Sequence, residues 1–330
     1  MDRLDNLIQE TQSALKPVLN RYISDHIIKE LIPILKYCTE AKETYDRALF
    51  VRLGCEALGG DWKKALPAMA GAELMDFSVL AIDDILDEAL RRMERPTVYR
   101  KWDTKTAVIA SFILNSLATV AFTDIEKKGS ISYQKILEAV SVLSRAHQQI
   151  YIGQYLDTKY ETLNFDQVTT RMYLRMITYT TGVQISACIS IGGILAKGKE
   201  EQIRALKDYG LYTGMIFQIR DDLIDYVSNE TLTRKPSFGD FIRQKKRIPL
   251  LLAHKNNPLK FAEILQELKN NNTYDANAIL GLIQSSPVIK SLREILKNLA
   301  RKALSGIEVF PSPKHFRNLL EEIVKLGIDI

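Results

Sequence analysis

Residues 72–87, AELMDFSVLAIDDILD, decide the fold class of this chain. Apolar residues recur there at the spacing of one buried helix face, in steps of three or four: Ala72, Met75, Val79, Ile82 and Leu86. The stretch ends in DDILD, so Asp83 and Asp87 project from the same face of the predicted helix. Like charges at this spacing destabilise an isolated helix. A buried helix that ends in this way fits either a solvated acidic helix end or a site for cations.

A second stretch of the same kind, FQIRDDLID, occupies residues 217–225. Asp221 and Asp225 again share a helix face. A solvated acidic helix end explains one such cluster equally well, but it does not explain two DDxxD copies within apolar helices. Carboxylate oxygens suit Mg²⁺, which commonly joins a few carboxylates to substrate phosphate. The two clusters are therefore expected to face each other and to hold Mg²⁺ together with a diphosphate.

Helical spacing continues along nearly the whole chain, and alternating strand patterns are scarce. Residues 108–122 are apolar almost all round, as in a central helix that others enclose. Polar stretches at 228–247 and 269–277 are predicted to be loops. We predict one all-α domain, residues 1–330, built as a single bundle of ten or more helices.

The composition restricts the possible partners and location of the protein. The net charge of +5 is spread along 330 residues, without a basic stripe or interleaved aromatics, so no nucleic-acid partner is expected. Cys38, Cys55 and Cys188 lack CxxC spacing and are expected to be small buried residues in a reducing compartment. Without a signal-peptide pattern or an uninterrupted apolar run of membrane length, the protein is expected to be cytoplasmic and not membrane-spanning.

Basic residues follow each aspartate cluster. Arg91 and Arg92 come after the first, and Lys235, Lys245 and Lys246 come after the second. Ordinary surface charge explains such residues too, but their positions favour contacts with phosphate. The chain contains no GxxxxGK[ST] loop and no zinc-ligand spacing, which excludes a P-loop mechanism and argues against a zinc site.

Together these motifs resemble those of the all-trans isoprenyl diphosphate synthases and the related class I terpene synthases. The resemblance includes both DDxxD motifs, the arginine pair, GQYLD at residues 153–157 as the family's GQxxD, and EALGG at residues 56–60. It implies an isoprenoid synthase fold around a deep central cavity, usually in a homodimer.

The resemblance also implies roles for individual residues in binding an allylic prenyl diphosphate. Metal ligands for three Mg²⁺ ions would be Asp83, Asp84, Asp87, Asp221, Asp222 and Asp225. Diphosphate ligands would be Arg47, Arg91, Arg92, Gln154, Lys235, Lys245 and Lys246. Gln218 would lie near the reacting carbons, and the catalytic set would be Asp83, Asp87, Asp221 and Gln218. Metals and cations stabilise the leaving diphosphate, and a water-poor cavity protects the allylic cation.

Three positions depart from the pattern of chain-elongating members, which also bind isopentenyl diphosphate. Their GGKxxR motif aligns with residues 42–47, KETYDR, so Thr44 replaces the lysine and Arg47 remains. Seven residues before the first DDxxD, where His or Gln is usual, this chain has Asp76. A carboxylate that faces a diphosphate costs free energy. The family's Lys-Thr pair appears as Thr-Thr at residues 180–181.

These losses favour a terpene synthase, which ionises one allylic diphosphate and quenches the cation internally. The alternative is a polyprenyl diphosphate synthase, making geranylgeranyl or longer chains, with Lys42 or Arg52 as the replacement clamp. A third hypothesis is a non-catalytic partner subunit of such a synthase. It ranks last because both aspartate motifs are complete.

The residues before the first DDxxD are implied to form the floor of the hydrocarbon pocket: Phe77, Ser78 and Val79. Ser78 and Val79 are small, so we expect a prenyl chain of about C20 or longer to fit. Phe112 and Tyr155 are further candidates for the cavity wall, although aromatic residues at helical spacing more often belong to the core.

Overall fold

The computed structural model describes residues 2–40, 44–125, 131–227, 238–271, 273–312 and 314–328. Its α-helices, in chain order, are α1 (Asp2–His26), α2 (Ile32–Thr39), α3 (Asp46–Ala57), α4 (Leu66–Leu86), α5 (Val98–Lys101), α6 (Thr104–Thr123), α7 (Tyr133–Glu161), α8 (Thr170–Ile177), α9 (Val183–Leu195), α10 (Glu200–Val227), α11 (Gly239–Ile242), α12 (Ile248–Asn256), α13 (Pro258–Asn271), α14 (Ala276–Ile283), α15 (Ser286–Leu304) and α16 (Lys314–Ile328). Short 3₁₀ turns lie at Trp62–Ala65, Phe165–Gln167 and Ile307–Val309, and a π-helical turn lies at Thr178–Gly182. Strands β1 (Arg91–Arg92) and β2 (Arg95–Pro96) form a two-residue antiparallel pair. The all-α prediction is confirmed.

The chain divides into two compact units. Unit 1 comprises Met1–Gln148, Gln184–Gly210 and Ser305–Glu321, and unit 2 comprises Gln149–Val183, Leu211–Leu304 and Glu322–Ile330. The sequence-based assignment of one domain stays a prediction.

The core of unit 1 is built around α4, which is buried along most of its length and packs against α3 and α6. Gly71 allows a close approach to α6, because a Cβ there would lie 2.6 Å from the ring of Phe122. Helices α3 and α9 approach even more closely. A Cβ on Gly54 would lie 1.8 Å from the Ile189 carbonyl oxygen. Small residues therefore set the spacing between these helices of unit 1.

Two helical segments are long and apolar enough to cross a membrane when judged by length and composition alone: Trp62–Leu86 and Thr104–Thr123. Of the apolar window in the first segment, 83% is buried within the structure, as in the core helix of a soluble protein. In the second segment 44% is buried, and the other residues are partly or fully exposed.

The predicted loops contain more helix than expected. In the polar stretch 228–247, residues 238–247 include α11, while residues 228–237 lie outside the described part of the chain. Helix α13 extends to Asn271, into the segment predicted to be a loop. The three cysteines are buried, as expected, and burial raises the pKa of the Cys38 and Cys55 thiols to about 12.

Candidate active site

The first aspartate motif lies at the C-terminal end of α4, in unit 1. Asp87 is the C-cap residue, and its backbone N–H donates a hydrogen bond to the Asp83 carbonyl at 2.8 Å. This bond places Asp83 and Asp87 one helical turn apart, as the spacing predicts. Both side chains are partly exposed, whereas Asp84 is buried. The three carboxylates of one motif therefore lie in different environments.

Arg92 of β1 neutralises the buried member of this motif. Its Nε and Nη2 donate to Asp84 Oδ1 at 3.0 and 2.7 Å, and Nη2 lies 3.5 Å from Asp83 Oδ2. Burial raises the pKa of Asp84, and the Arg92 guanidinium only partly offsets this. Arg91, its neighbour on the strand, is exposed. The short hairpin therefore presents one arginine to the aspartates and the other to solvent.

The second aspartate motif lies on α10, in unit 2. Asp221 is exposed, whereas Asp222 is 3% exposed and accepts hydrogen bonds from Tyr173 Oη at 2.6 Å and Gln218 Nε2 at 2.8 Å. Burial raises the pKa of Asp222, against the opposing effect of Arg247. The Asp225 side chain and the whole of Lys235 lie outside the described part of the chain.

Asp157, the last residue of GQxxD, anchors a buried charge network in unit 2. Its carboxylate accepts from Arg247 Nη1 and Nη2 at 2.8 and 3.1 Å and from Lys245 Nζ at 2.9 Å. Arg247 Nε also lies 3.6 Å from Asp240 and 3.9 Å from Asp222. Burial alone would raise the pKa of Asp157, but Arg247 and Lys245 hold it below its ordinary value. Arg247 thus links α7 to the second motif.

Two of the three lysines predicted to bind diphosphate, Lys245 and Lys246, are buried. Lys245 pairs with Glu161 at 2.5 Å in addition to Asp157. Lys246 Nζ donates to the carbonyls of Gln244 and Glu161 at 2.6 and 3.2 Å and lies 4.7 Å from the Phe165 ring centre. Burial lowers the pKa of Lys246 to about 8. Their role as diphosphate ligands stays a prediction.

Arg47, the retained residue of the isopentenyl diphosphate motif, forms an ion pair in unit 1 with Asp76, one of the three departures from the family pattern. Arg47 Nη2 lies 3.1 Å from Asp76 Oδ1 and donates to Gln184 Oε1 at 2.8 Å. Gln184 Nε2 donates to the same Asp76 oxygen at 2.7 Å. Asp76 is 2% exposed. The carboxylate that was predicted to repel a diphosphate is therefore balanced by a cation and an amide.

Of the two replacement clamps, only Arg52 can be placed, because Lys42 lies outside the described residues. Arg52 is buried and pairs with Glu10 at 2.6 Å and Glu56 at 2.9 Å, and its guanidinium lies 4.0 Å from the Trp62 ring centre. These contacts give Arg52 a structural role, because they join α3 to neighbouring parts of unit 1.

Phe77, Ser78 and Val79 are all buried on α4. Ser78 Oγ donates to the Met75 carbonyl at 2.7 Å, and the Ser78 carbonyl accepts from Ser111 Oγ at 2.8 Å. The first bond lies within α4, and the second links Ser78 on α4 to Ser111 on α6. The predicted pocket role of the three residues remains untested.

Several other predicted residues lie on α6 and α7. Phe112 and Tyr155, candidates for the cavity wall, are 69% and 64% exposed, which argues against a place in the core of the described structure. Gln154 is partly buried on α7.

Gly153 explains part of the GQxxD pattern. A Cβ at this position would lie 2.7 Å from Thr180 N, so a larger residue would displace the π-helical turn. That turn carries Thr181, whose Oγ1 donates to Gln218 Oε1 at 2.6 Å. Inserted π turns often occur at functional sites.

Comparison with known proteins identifies the family. The model of the polyprenyl synthetase family matches residues 28–283. The chain belongs to this family.

Relatives within the polyprenyl synthetase family include named enzymes. The chain is 30% identical over 230 residues to a geranylgeranyl diphosphate synthase of Methanosarcina mazei, covering 67% of this chain and 69% of that protein. It is 30% identical over 275 residues to a geranylfarnesyl diphosphate synthase of Natronomonas pharaonis, covering 83% and 77%. The structure of a geranylgeranyl pyrophosphate synthetase from Pyrococcus horikoshii superposes with a TM-score of 0.87 at 26% identity, covering 99% of both chains.

These comparisons confirm the isoprenoid synthase fold and show that the protein is an enzyme of the prenyl diphosphate class. They also bear on the choice between the two catalytic hypotheses. The relatives are named as diphosphate synthases, so the alternative prediction fits them better than the favoured terpene synthase.

Sequence reasoning missed Tyr173 and Arg247 and gave Asp157 no role. Asp157 had a signal, since it closes GQxxD. Arg247 ends a KKR run that resembles ordinary surface charge, and Tyr173 belongs to none of the sequence motifs described above. Only the fold shows that these three residues connect to the second aspartate motif.

Proposed function

We propose that the protein is an isoprenyl diphosphate synthase that joins an allylic prenyl diphosphate to isopentenyl diphosphate. The family match over residues 28–283, with both aspartate motifs intact within it, carries this proposal. The names of the relatives support it. The reaction needs charge stabilisation on the leaving diphosphate and exclusion of water from the cation.

The exposed and partly exposed carboxylates fit Mg²⁺. Asp83 and Asp87 lie one turn apart with solvent access, and Asp221 is exposed, so these three offer oxygen ligands of the kind that Mg²⁺ prefers. When bound, Mg²⁺ stabilises the negative charge of the diphosphate. A set of three Mg²⁺ ions is part of the proposal. Buried Asp84 and Asp222 suit a supporting role better.

Isopentenyl diphosphate remains compatible with Asp76 because that carboxylate is not isolated. Arg47 and Gln184 balance its charge, so the free energy of repulsion between Asp76 and a diphosphate is smaller than an unpaired carboxylate would give. The substrate must compete with Asp76 for Arg47. We expect binding of isopentenyl diphosphate to be weakened by this competition, and not abolished.

A homodimer is also part of the proposal. One face of α6 exposes Ile109 (50%) and Phe112 (69%) about one turn apart, and large apolar side chains in this arrangement favour a partner surface. A second copy of the chain would cover them, and sedimentation equilibrium should then give twice the chain mass. A relative in Bacillus subtilis, 27% identical, is named heptaprenyl diphosphate synthase component 2. The alternative outcome is therefore that this protein assembles with a different subunit and not with a second copy of itself.

We propose that the enzyme works in the cytoplasm.

The substrate requirement tests the proposal. The protein is incubated with Mg²⁺ and farnesyl or geranylgeranyl diphosphate, with and without labelled isopentenyl diphosphate, and a parallel sample contains a chelator. We expect labelled prenyl diphosphates of about C20 or longer only when Mg²⁺ and both substrates are present. Hydrocarbon or alcohol products formed equally well without isopentenyl diphosphate would instead establish a terpene synthase.

A further inference from the structure

A chain of hydrogen bonds links four side chains from α8, the π-helical turn and α10 of unit 2. Thr181 Oγ1 donates to Gln218 Oε1 at 2.6 Å, and Gln218 Nε2 donates to Asp222 Oδ1 at 2.8 Å. Tyr173 Oη donates to the other Asp222 oxygen at 2.6 Å. Tyr173 is fully buried and Asp222 nearly so. Water therefore competes little for the bonds to Asp222.

The chain fixes which way the Gln218 amide points. Its nitrogen must face Asp222, because a carboxylate can only accept hydrogen bonds, and its oxygen then faces the Thr181 hydroxyl. A rotation by half a turn would set the amide oxygen against a carboxylate oxygen. A threonine hydroxyl alone could not impose this choice, since it can donate or accept. Asp222 is therefore the residue that determines the orientation.

Both oxygens of Asp222 accept hydrogen bonds inside the fold, whereas its neighbour Asp221 is exposed to solvent. Arg247 Nε lies 3.9 Å from Asp222 Oδ1, which supports the negative charge inside the fold. The adjacent positions of the second DDxxD are thus in contrasting environments. One suits a ligand in contact with solvent, and the other suits a fixed internal acceptor.

We propose that Tyr173 and Asp222 are positioning residues that hold the Gln218 amide oxygen in its working orientation, and that Asp222 is not a metal ligand. The inference rests on the proposed function and on the role that the family resemblance implies for Gln218, near the reacting carbons. An amide oxygen held in advance stabilises a nearby developing positive charge without the free-energy cost of reorienting during the reaction. The π-helical turn contributes by placing Thr181 against the same amide.

Tyr173→Phe is the first test, because it removes one hydroxyl and keeps the ring. The rate measured is release of diphosphate from the allylic substrate, with and without isopentenyl diphosphate. We expect the kcat for release to fall about tenfold, while the KM for the allylic substrate and the Mg²⁺ concentration for half-maximal rate stay unchanged. Tyr209→Phe is the matched control. Tyr209 is equally buried and donates to the Leu320 carbonyl at 2.9 Å in unit 1, so it reports the effect of losing a buried hydroxyl elsewhere.

Asp222→Asn is the second test, with Asp83→Asn for comparison. We expect Asp222→Asn to lower kcat without changing the Mg²⁺ requirement, and Asp83→Asn to raise that requirement. The inference is overturned if Asp222→Asn raises the Mg²⁺ requirement as Asp83→Asn does, or if Tyr173→Phe matches Tyr209→Phe in kcat. Release of diphosphate that does not need isopentenyl diphosphate contradicts the proposed function alone, because the effects of the variants on release are still measured.

Discussion

At the residue scale, Asp76 shows how neighbouring side chains change the effect of a carboxylate on diphosphate binding. The sequence indicates a carboxylate two helical turns before Asp83, where it would oppose a diphosphate. The structure pairs it with Arg47, and with Gln184 from 108 positions later in the chain. The interaction with Arg47 also raises the pKa of that guanidinium, despite its burial. Asp76 is therefore a competitor for Arg47 and not a source of unbalanced repulsion.

Asp76→Asn should strengthen binding of isopentenyl diphosphate. Asparagine keeps an oxygen for the Gln184 amide but removes the charge that holds Arg47, so we expect the KM for this substrate to fall about tenfold, or about 1.4 kcal/mol. The KM for the allylic substrate should not change. Steady-state kinetics with each substrate varied in turn gives both values.

Asp46→Asn is the matched control for this prediction. Asp46 Oδ2 lies 4.0 Å from Arg47 Nη1, but its side chain is 45% exposed, so its loss should change the KM little. An equal effect of both variants, or an unchanged KM in Asp76→Asn, would contradict competition for Arg47.

Single residues also show which parts of the site could be predicted. The one-turn spacing of Asp83 and Asp87 follows from helix geometry and is confirmed by the structure. The contrast between Asp221 and Asp222 does not follow from the sequence, because it depends on which side of α10 faces Tyr173. Asp221 and Asp222 are the same residue type side by side in the sequence, and only their surroundings in the fold distinguish them.

At the element scale, the buried charge network ties α7 to the chain just before α12. Asp157 sits on α7, and Lys245 and Arg247 lie immediately before α12. The KKR run at 245–247 resembles surface charge in the sequence, yet Lys245 and Lys246 are each 2% exposed. Helix periodicity predicted the helices, but it could not predict that these cations pair with an acid far away in the chain.

Asp157→Asn should destabilise the protein, because it leaves two buried cations short of their shared carboxylate. We expect the free energy of unfolding near neutral pH to fall by about 3 kcal/mol. The pKa of Asp157 is held below its ordinary value, so its contribution is complete above that value and is lost as the pH falls. The difference between wild type and variant should therefore shrink below about pH 4. Denaturant titrations across the pH range measure it.

Glu308→Gln serves as the control for this variant. Glu308 pairs with Arg317 at 2.7 Å but is 82% exposed, and exposed pairs contribute less than about 1 kcal/mol. A loss in Asp157→Asn no larger than in this control, or one that persists unchanged in acid, would contradict a stabilising role for the buried network.

At the scale of the whole molecule, the fold was predictable and the reaction only in part. Nearly continuous helical spacing predicted the all-α fold, and the resemblance of the two DDxxD motifs and their neighbours to a known family predicted a prenyl diphosphate enzyme. The choice between a terpene synthase and a synthase that extends the prenyl chain could not be predicted from the sequence. It depended in part on Asp76, whose effect on binding is set by partners that motif spacing does not reveal.

The central claim is that both aspartate segments serve one Mg²⁺-dependent reaction, and a double-variant comparison tests it most directly. Turnover of the allylic diphosphate is measured for Asp83→Ala, Asp221→Ala and the combination, with exposed Asp208→Asn on α10 as the control. We predict that each single variant loses at least about a hundredfold in kcat, and that the combination loses little more, since groups that act as a unit are non-additive. Near-normal turnover in either single variant, or losses that multiply in the combination, would contradict the claim.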